Sequence, residues 1–548
     1  MVLARRLLVA VAVAGVLALV ATAIVAGSSG GFGPGSEHGP ARGRPNIVLV
    51  LTDDMSWDLA RYVGQLQSMQ EQGTTFDSFF VGDSLCCTSR STVFTGLYPH
   101  NTHVLANRGA HGGWPAFVDP NEDGDTADSN EKRTVAVYLN RQGYHTGFVG
   151  KYLNGYPVQR DPSVPTGWDE WNAVGGGGYR EFGYQVQTLR RNGRNDLTRA
   201  RTSTVGTEYA TDYMSDRAVD FLDRAQQRPR PFFLEVATYA PHQRVPFDRT
   251  RREPRFPPAS RDRPSAVDRD GDCGGAATAV GDCTRLDAAH SPAFDEDTSD
   301  KPSWVRRKPL TAREHANLTE DYRNRVRMMQ SVDDLLARVR GALTPATAAN
   351  TYVVFAADNG FHLGQHRLLR GKQTPYDHDI RVPAVVVGPG VLAGVHRTEI
   401  AQNTDFFPTF LDIAGVRRHP PSDGMSLLPL LHGEQVPRWR TAAFVEHTHI
   451  DPKAPGEVDD EAAAPGNSNP PTYQAIRTAS ALYVEYRLPG ARTEYEYYDL
   501  RRDRYETADS YGAGRPAQDV DEQLAAFRTC GDGPTHPLTC QRVARRAG

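Results

Sequence analysis

The chain has 548 residues, 39% hydrophobic and 23% charged, with 62 basic against 66 acidic side chains and a net charge of −4. That composition suits a globular protein with a large core, and the length alone allows about three or four domains. No global basic field is present, which excludes nucleic-acid binding by bulk charge.

Residues 1–27 read as an export signal: Arg5 and Arg6 supply the positive end, and residues 7–26 form an apolar run broken only by Gly15 and Thr22. The run is long enough to span a bilayer. It serves either as a signal cleaved near Ala21-Thr22-Ala23 or as an uncleaved membrane anchor. Either way the body is exported, secreted or anchored at the outer face of the plasma membrane, where disulfides persist. Residues 28–44 are rich in Gly, Ser and Pro and read as a linker. Six cysteines occur, at 86, 87, 273, 283, 530 and 540. Cys273/Cys283 and Cys530/Cys540 each bracket a short polar loop, a spacing that suits local disulfides without fixing their connectivity. Cys86 and Cys87 are left available for chemistry.

Residues 45–51 form a continuous apolar run, the pattern of a strand covered on both faces, and it ends in Thr52-Asp53-Asp54. Adjacent carboxylates repel unless something neutralises them, and a bound cation is the simplest candidate. Next comes Cys86-Cys87-Thr88-Ser89-Arg90, whose small hydroxyl residues open helices. A helix start beside Arg90 predicts an electropositive setting for Cys86, suited to a nucleophile acting on an anionic ester. The plainer reading is a buried pair of thiols packed as small hydrophobes.

A helical stretch at 134–142 leads into a strand at 144–150 that ends in Lys151. A second helix at 212–226 leads into a strand at 231–237, followed by Pro241-His242. Residues 244–309 read as a polar surface insertion. An amphipathic helix at 318–343 precedes a strand at 351–357 that delivers Asp358-Asn359-Gly360. The basic residues Arg367, Arg370 and Lys372 follow, then a strand at 381–387 and a helix at 405–414.

This alternation predicts an α/β fold: a large mixed, mostly parallel sheet sandwiched by helices over residues 45–418. Short strand-like runs at 442–446, 481–486 and 495–500 predict a smaller antiparallel sheet in a C-terminal subdomain, 419–548. Ligands of parallel sheets sit beyond the carboxyl ends of the strands, and four strands deliver polar groups to that edge.

These residues resemble the type I sulfatase family of the alkaline phosphatase-like superfamily, from Asn46 to about Tyr511. The most specific pieces are Cys86-Cys87-Thr88-Ser89-Arg90 with Thr95-Gly96, Gly150-Lys151, Pro241-His242 and Asp358-Asn359-Gly360. The stretch from Gly360 to Pro383 looks most like the N-acetylglucosamine-6-sulfatase branch. The resemblance implies a calcium-dependent sulfate-ester hydrolase acting on a sulfated sugar. Cys86 would be oxidised to formylglycine by a formylglycine-generating enzyme. One Ca2+ would be held by Asp53, Asp54, Asp358, Asn359 and the modified Cys86. Arg90 would steady the aldehyde hydrate, Lys151 and Lys372 would grip the sulfate, and His242 would stand beside the leaving oxygen.

Two departures stand out. Thr88 occupies a position where the family motif has Pro and which the maturation enzyme reads. An unconverted Cys86 would leave a non-catalytic calcium-binding homologue. Lys151 is followed by Tyr152-Leu153-Asn154 rather than by a nearby histidine, so the base is unassigned, with His362 and His366 as candidates. A phosphate or phosphonate ester hydrolase on the same scaffold is the further alternative. Substrate choice is expected in loops 106–130 and 175–195.

Overall fold

The structure is a computed structural model that describes residues 43–124, 126–158, 164–190, 201–205, 208–245, 254–258, 283–449, 469–512, 518–531 and 539–545. The expected export segment, Cys273 and most of the 451–471 segment lie outside the described residues. No described helix is long and apolar enough to cross a membrane.

Strand β1 (Asn46–Thr52) is buried along its whole length, as its unbroken aliphatic run requires. It is the centre of a ten-stranded sheet. The other members are β2 (Thr74–Phe76), β3 (His145–Lys151), β4 (Glu170–Gly175), β5 (Tyr184–Arg190), β6 (Arg201–Val205), β7 (Phe232–Ala237), β8 (Thr351–Ala357), β9 (Ala384–Val387) and β10 (Val395–Arg397). Their order is β10-β2-β9-β8-β1-β7-β3-β4-β5-β6. The five strands from β8 to β4 run parallel, and β9, β5 and β6 are antiparallel to their neighbours.

Register matters more than strand count here. Thr52 pairs with Ala357, Leu51 with Ala237, and Gly150 with Ala237. The residues that follow each strand therefore leave the sheet side by side. At Gly150 (φ +113°) an added Cβ would lie 1.9 Å from the Ala237 carbonyl oxygen, so the chain can turn into Lys151 only with glycine there.

Four helices complete the frame: α1 (Cys86–Thr95), α2 (Ala210–Ala225), α3 (Ala312–Gly341) and α4 (Phe406–Ile413). Helix α2 packs on β3 and α3. Helix α3 starts six residues before the expected 318. The Thr311 hydroxyl accepts from the Glu314 amide and the Glu314 carboxylate accepts from the Thr311 amide, a capping box that fixes the start.

Two stretches differ from the sequence expectation. The 175–195 loop contains β5, which buries Tyr184 and Val186 on one face and Gln187 and Leu189 on the other. The C-terminal sheet has four strands rather than three: β11 (Ala442–His447), β12 (Thr472–Thr478), β13 (Ala481–Leu488) and β14 (Arg492–Asp499), paired antiparallel in that order. Cys530 and Cys540 are joined as a disulfide, and Cys283 is disulfide-bonded.

One core residue is out of character. Glu235 in β7 is 1% exposed, and neither carboxylate oxygen has a hydrogen-bond partner. Burial pushes its carboxyl up to about 8, against a weaker pull from Arg90. The protonated form is therefore favoured in the folded state, and the stability it contributes is present at pH 4 and lost as pH rises through about 8. Glu235→Gln is expected to remove that slope and to exceed the wild type by about 3 kcal/mol above pH 8. Urea unfolding of both proteins at pH 5 and pH 8.5 checks it; parallel pH profiles would refute it.

Candidate active site

The strand ends place their polar residues around the first turn of α1. Asp53 and Asp54 follow β1, Lys151 closes β3, His242 follows β7, and Asp358 and Asn359 follow β8. Lys372 comes just after the short strand Arg370–Gly371, which pairs with His362–Leu363. All of these side chains, with Cys86 and Arg90, are at most 3% exposed.

Asp54 is the hub. It adopts the left-handed conformation (φ 59°), which turns its carboxylate back over the strand ends. Its Oδ1 accepts from Lys372 Nζ at 2.6 Å and from Asn359 Nδ2 at 2.6 Å. Its amide donates to Asp358 Oδ1 at 3.1 Å, and its carbonyl accepts from Arg325. Lys151 Nζ donates to Asp53 Oδ2 at 2.6 Å. Arg90 Nε donates to Asp358 Oδ2 at 2.8 Å, and its Nη1 to the Lys151 carbonyl at 2.7 Å. Cys86 Sγ lies 3.4 Å from Asp53 Oδ1 and 2.7 Å from Lys372 Nζ. His242 Nε2 is 3.4 Å from Asp54 Oδ2, while its Nδ1 faces the Gln243 carbonyl at 2.6 Å. The structure thus gathers all nine residues named from the sequence: Asp53, Asp54, Cys86, Arg90, Lys151, His242, Asp358, Asn359 and Lys372.

The charges are matched in a medium that screens them little. Three carboxylates (Asp53, Asp54, Asp358) face Lys151, Lys372 and Arg90. Burial alone would raise Asp53; Lys151 and then His242 overcome it and hold the carboxyl below its usual value. Burial opposes the charge on Lys151, but Asp53 beside it raises its affinity for the proton. Burial, and then Asp53, push the Cys86 thiol far above the usual value, outweighing both lysines. Burial and Asp53 thus oppose the electropositive activation expected of the unmodified Cys86 thiol.

The donor set fits a hard cation. Asp54 Oδ2 and Asn359 Oδ1 are buried without a hydrogen bond, and one ligand-type atom from each of Asp53, Asp54, Cys86 and His242 lies within 4.8 Å of the others. Asn359 Nδ2 donates to both Asp54 Oδ1 and the Gly360 carbonyl, which leaves the amide oxygen as the open acceptor. Carboxylate and amide oxygens are what calcium takes.

Two neighbours were not found from the sequence. Arg325 is 1% exposed and lies 4.6 Å from the Phe361 ring centroid. Its position on the apolar stripe of α3, between Tyr322 and Met329, is a signal that could have exposed it. Tyr179 lies under Lys151 (4.9 Å) and against His242 (4.4 Å), bracing both; its glycine-rich surroundings carry no such signal. His362 and His366 are engaged elsewhere, His362 by Asp379 at 3.0 Å and His366 by Glu296. A cavity of about 110 Å³ opens beside Lys151, lined by Arg108, Asn154, Tyr179 and Tyr239 among others.

Known proteins resemble this chain. The sulfatase family model matches residues 45–416, and the model described as N-sulphoglucosamine sulphohydrolase, C-terminal, matches 364–527. The chain is 31% identical to human N-acetylglucosamine-6-sulfatase over 466 residues, covering 80% of this chain and 76% of that one. It is 31% identical to an arylsulfatase of Volvox carteri over 392 residues, covering 68% of this chain and 56% of that one, so it spans little more than half of that relative's length. A protein solved in complex with its substrate D-glucosamine-2-N,6-O-disulfate superposes with a TM-score of 0.61 at 21% identity, covering 88% and 96% of the two chains. At that identity the likeness bears on the fold alone, which is the alkaline phosphatase-like one. Since the first of these models spans every side chain gathered at the strand ends, the chain belongs to the sulfatase family.

Proposed function

We propose that this protein hydrolyses sulfate esters on a sulfated sugar, with one calcium ion and a formylglycine made from Cys86 by a formylglycine-generating enzyme. The observation that carries this reading is the meeting of Asp53, Asp54, Asp358 and Asn359 with Cys86 in one buried, charge-matched cluster. The sugar is supported by the human relative, whose name specifies N-acetylglucosamine 6-sulfate chemistry. Export is supported by Arg5, Arg6 and the apolar run at 7–26, together with the Cys530–Cys540 disulfide. We also propose that residues 45–418 form the catalytic portion and 419–548 the C-terminal subdomain.

When present, calcium supplies positive charge for the sulfuryl oxygens and formylglycine supplies a hydroxyl at the carbon that carries Cys86 Sγ. The chain's own residues do the rest. Lys151 and Lys372 bring two ammonium groups to the side of Cys86, where they bind the sulfate oxygens and stabilise charge spread over them. Arg90 locks Asp358 and the Lys151 backbone in place. His242 holds a proton at Nε2 for the departing sugar oxygen. Tyr179 fixes the positions of Lys151 and His242. Burial excludes water and strengthens each of these contacts.

The test is peptide mass spectrometry across Cys86 in protein from its native host, paired with release of sulfate and of phosphate from matched esters. An aldehyde mass with sulfate released faster is the expected result. An unaltered cysteine, or faster phosphate release, would overturn the proposal.

Thr88 gives a further prediction. It is the third residue of α1, where amide N–H groups lack helical partners, and its hydroxyl donates to the Leu85 carbonyl at 2.7 Å. That carbonyl also accepts from the Ser89 amide at 2.9 Å, so it keeps a donor in Thr88→Pro. Thr88→Pro is expected to change stability by no more than about 1 kcal/mol and to raise the converted fraction of Cys86. Mass spectrometry after co-expression with the maturation enzyme reads that fraction, and no rise would remove Thr88 as the limiting feature.

A further inference from the structure

Away from Cys86, a second group of ligand-type side chains converges. His366, His378 and Glu506 each place one ligand atom within 4.8 Å of the others. They come from separate parts of the chain: the turn after strand His362–Leu363, the helix Asp377–Ile380, and the segment beyond β14. His366 is 1% exposed and Glu506 is fully buried. His366 Nε2 and His378 Nδ1 are buried with no hydrogen-bond partner. Leaving such a nitrogen unmatched costs about 1–3 kcal/mol, and one shared partner would satisfy both.

The opposite nitrogen of each ring is held. His366 Nδ1 is in close contact with a Glu296 oxygen, and His378 Nε2 lies 3.2 Å from Ser291 Oγ. With Glu296 ionised, its contact at Nδ1 would hold the ring so that Nε2 faces outward as a ligand, which is how outer carboxylates orient metal-bound histidines. The Glu506 oxygens accept from the Asp377 amide at 3.1 and 3.2 Å and retain further lone pairs. The surrounding charges are paired, Lys301 with Glu296 at 3.2 Å and Asp377 with Arg477 at 2.8 Å. His378 and Glu506 also line a cleft of about 540 Å³ that passes Trp57, Arg61 and Arg381, giving an ion a way in and room for a fourth, exchangeable ligand.

We propose that His366 Nε2, His378 Nδ1 and a Glu506 carboxylate oxygen form a second metal site that takes zinc or a similar first-row divalent ion. Two imidazoles and one carboxylate suit zinc, whereas calcium prefers a shell of oxygens. The site is separate from the cluster around Cys86 and does not depend on the sulfate-ester reading.

The test uses the full chain saturated with calcium and titrated with cobalt and then zinc. One equivalent of cobalt is expected to give visible ligand-field absorption that zinc abolishes, and elemental analysis is expected to find one zinc per chain. His378→Ala and Glu506→Gln are each expected to weaken zinc by about a hundredfold, the upper end of what losing even an outer partner costs. Asp54→Asn is expected to leave zinc bound. Circular dichroism confirms folding; Glu506→Gln, with nearly unchanged shape, decides the matter if His378→Ala does not fold. Zinc binding unchanged in Glu506→Gln, or zinc lost in Asp54→Asn, or no stoichiometric zinc at all, would overturn the proposal.

Discussion

Asp54→Asn is expected to lower kcat/KM for a sulfate ester by about 10⁴-fold and to remove calcium from the purified protein. The substitution isolates the charge. Asparagine tolerates the left-handed conformation that Asp54 adopts at φ 59°, so the backbone and its hydrogen bonds to Asp358 and Arg325 have no reason to move. Lys372 Nζ and Asn359 Nδ2 both donate to Oδ1, so the new amide oxygen must take that position. The amide nitrogen is then forced into the place of Oδ2, the oxygen that has no hydrogen bond of its own. A donor there replaces an anionic acceptor within the candidate cation site. Calcium content and turnover should therefore fall together while the melting temperature stays close to that of the wild type. Stoichiometric calcium with more than a tenth of the activity would show that Asp54 is not a ligand.

The parts of this site that could be read from sequence share one trait. Asp53, Lys151, His242 and Asp358 each close or follow a strand that is mostly apolar, so the change in character is visible in one dimension. Cys86 stood out because its helix start is built of small hydroxyl residues. What stayed hidden depends on packing. Tyr179 reaches Lys151 only because the turn after β4 folds back over the sheet edge. Strand β5 is made largely of polar residues, and its burial emerges only once it is paired in the sheet. The thiol state of Cys86 follows from complete burial, which outweighs the lysines that the motif brings near. His366, His378 and Glu506 are separated by up to 140 positions and belong to no common pattern; only the fold makes them neighbours.

His242→Gln is expected to separate substrates by their leaving groups. His242 is 3% exposed and packed on the Tyr179 ring, and its Nδ1 faces the Gln243 carbonyl. A carbonyl can only accept, so Nδ1 carries a proton. With a second proton at Nε2 the ring is cationic and lies 3.4 Å from Asp54 Oδ2. Nε2 is then the proton that an alkoxide can take as its bond to sulfur breaks. A sugar alkoxide is strongly basic and needs that proton, whereas a nitrophenolate leaves readily without it. The substitution should therefore reduce kcat for a sugar sulfate by about 10³-fold and for 4-nitrophenyl sulfate by about tenfold or less. Glutamine keeps a polar group near Asp54, so a general loss of structure would lower both rates equally. Single-turnover rates across phenyl sulfates of graded acidity read the difference directly as a steeper dependence on leaving-group pKa. Equal losses on all esters would leave His242 as a binding residue and assign the proton to another group.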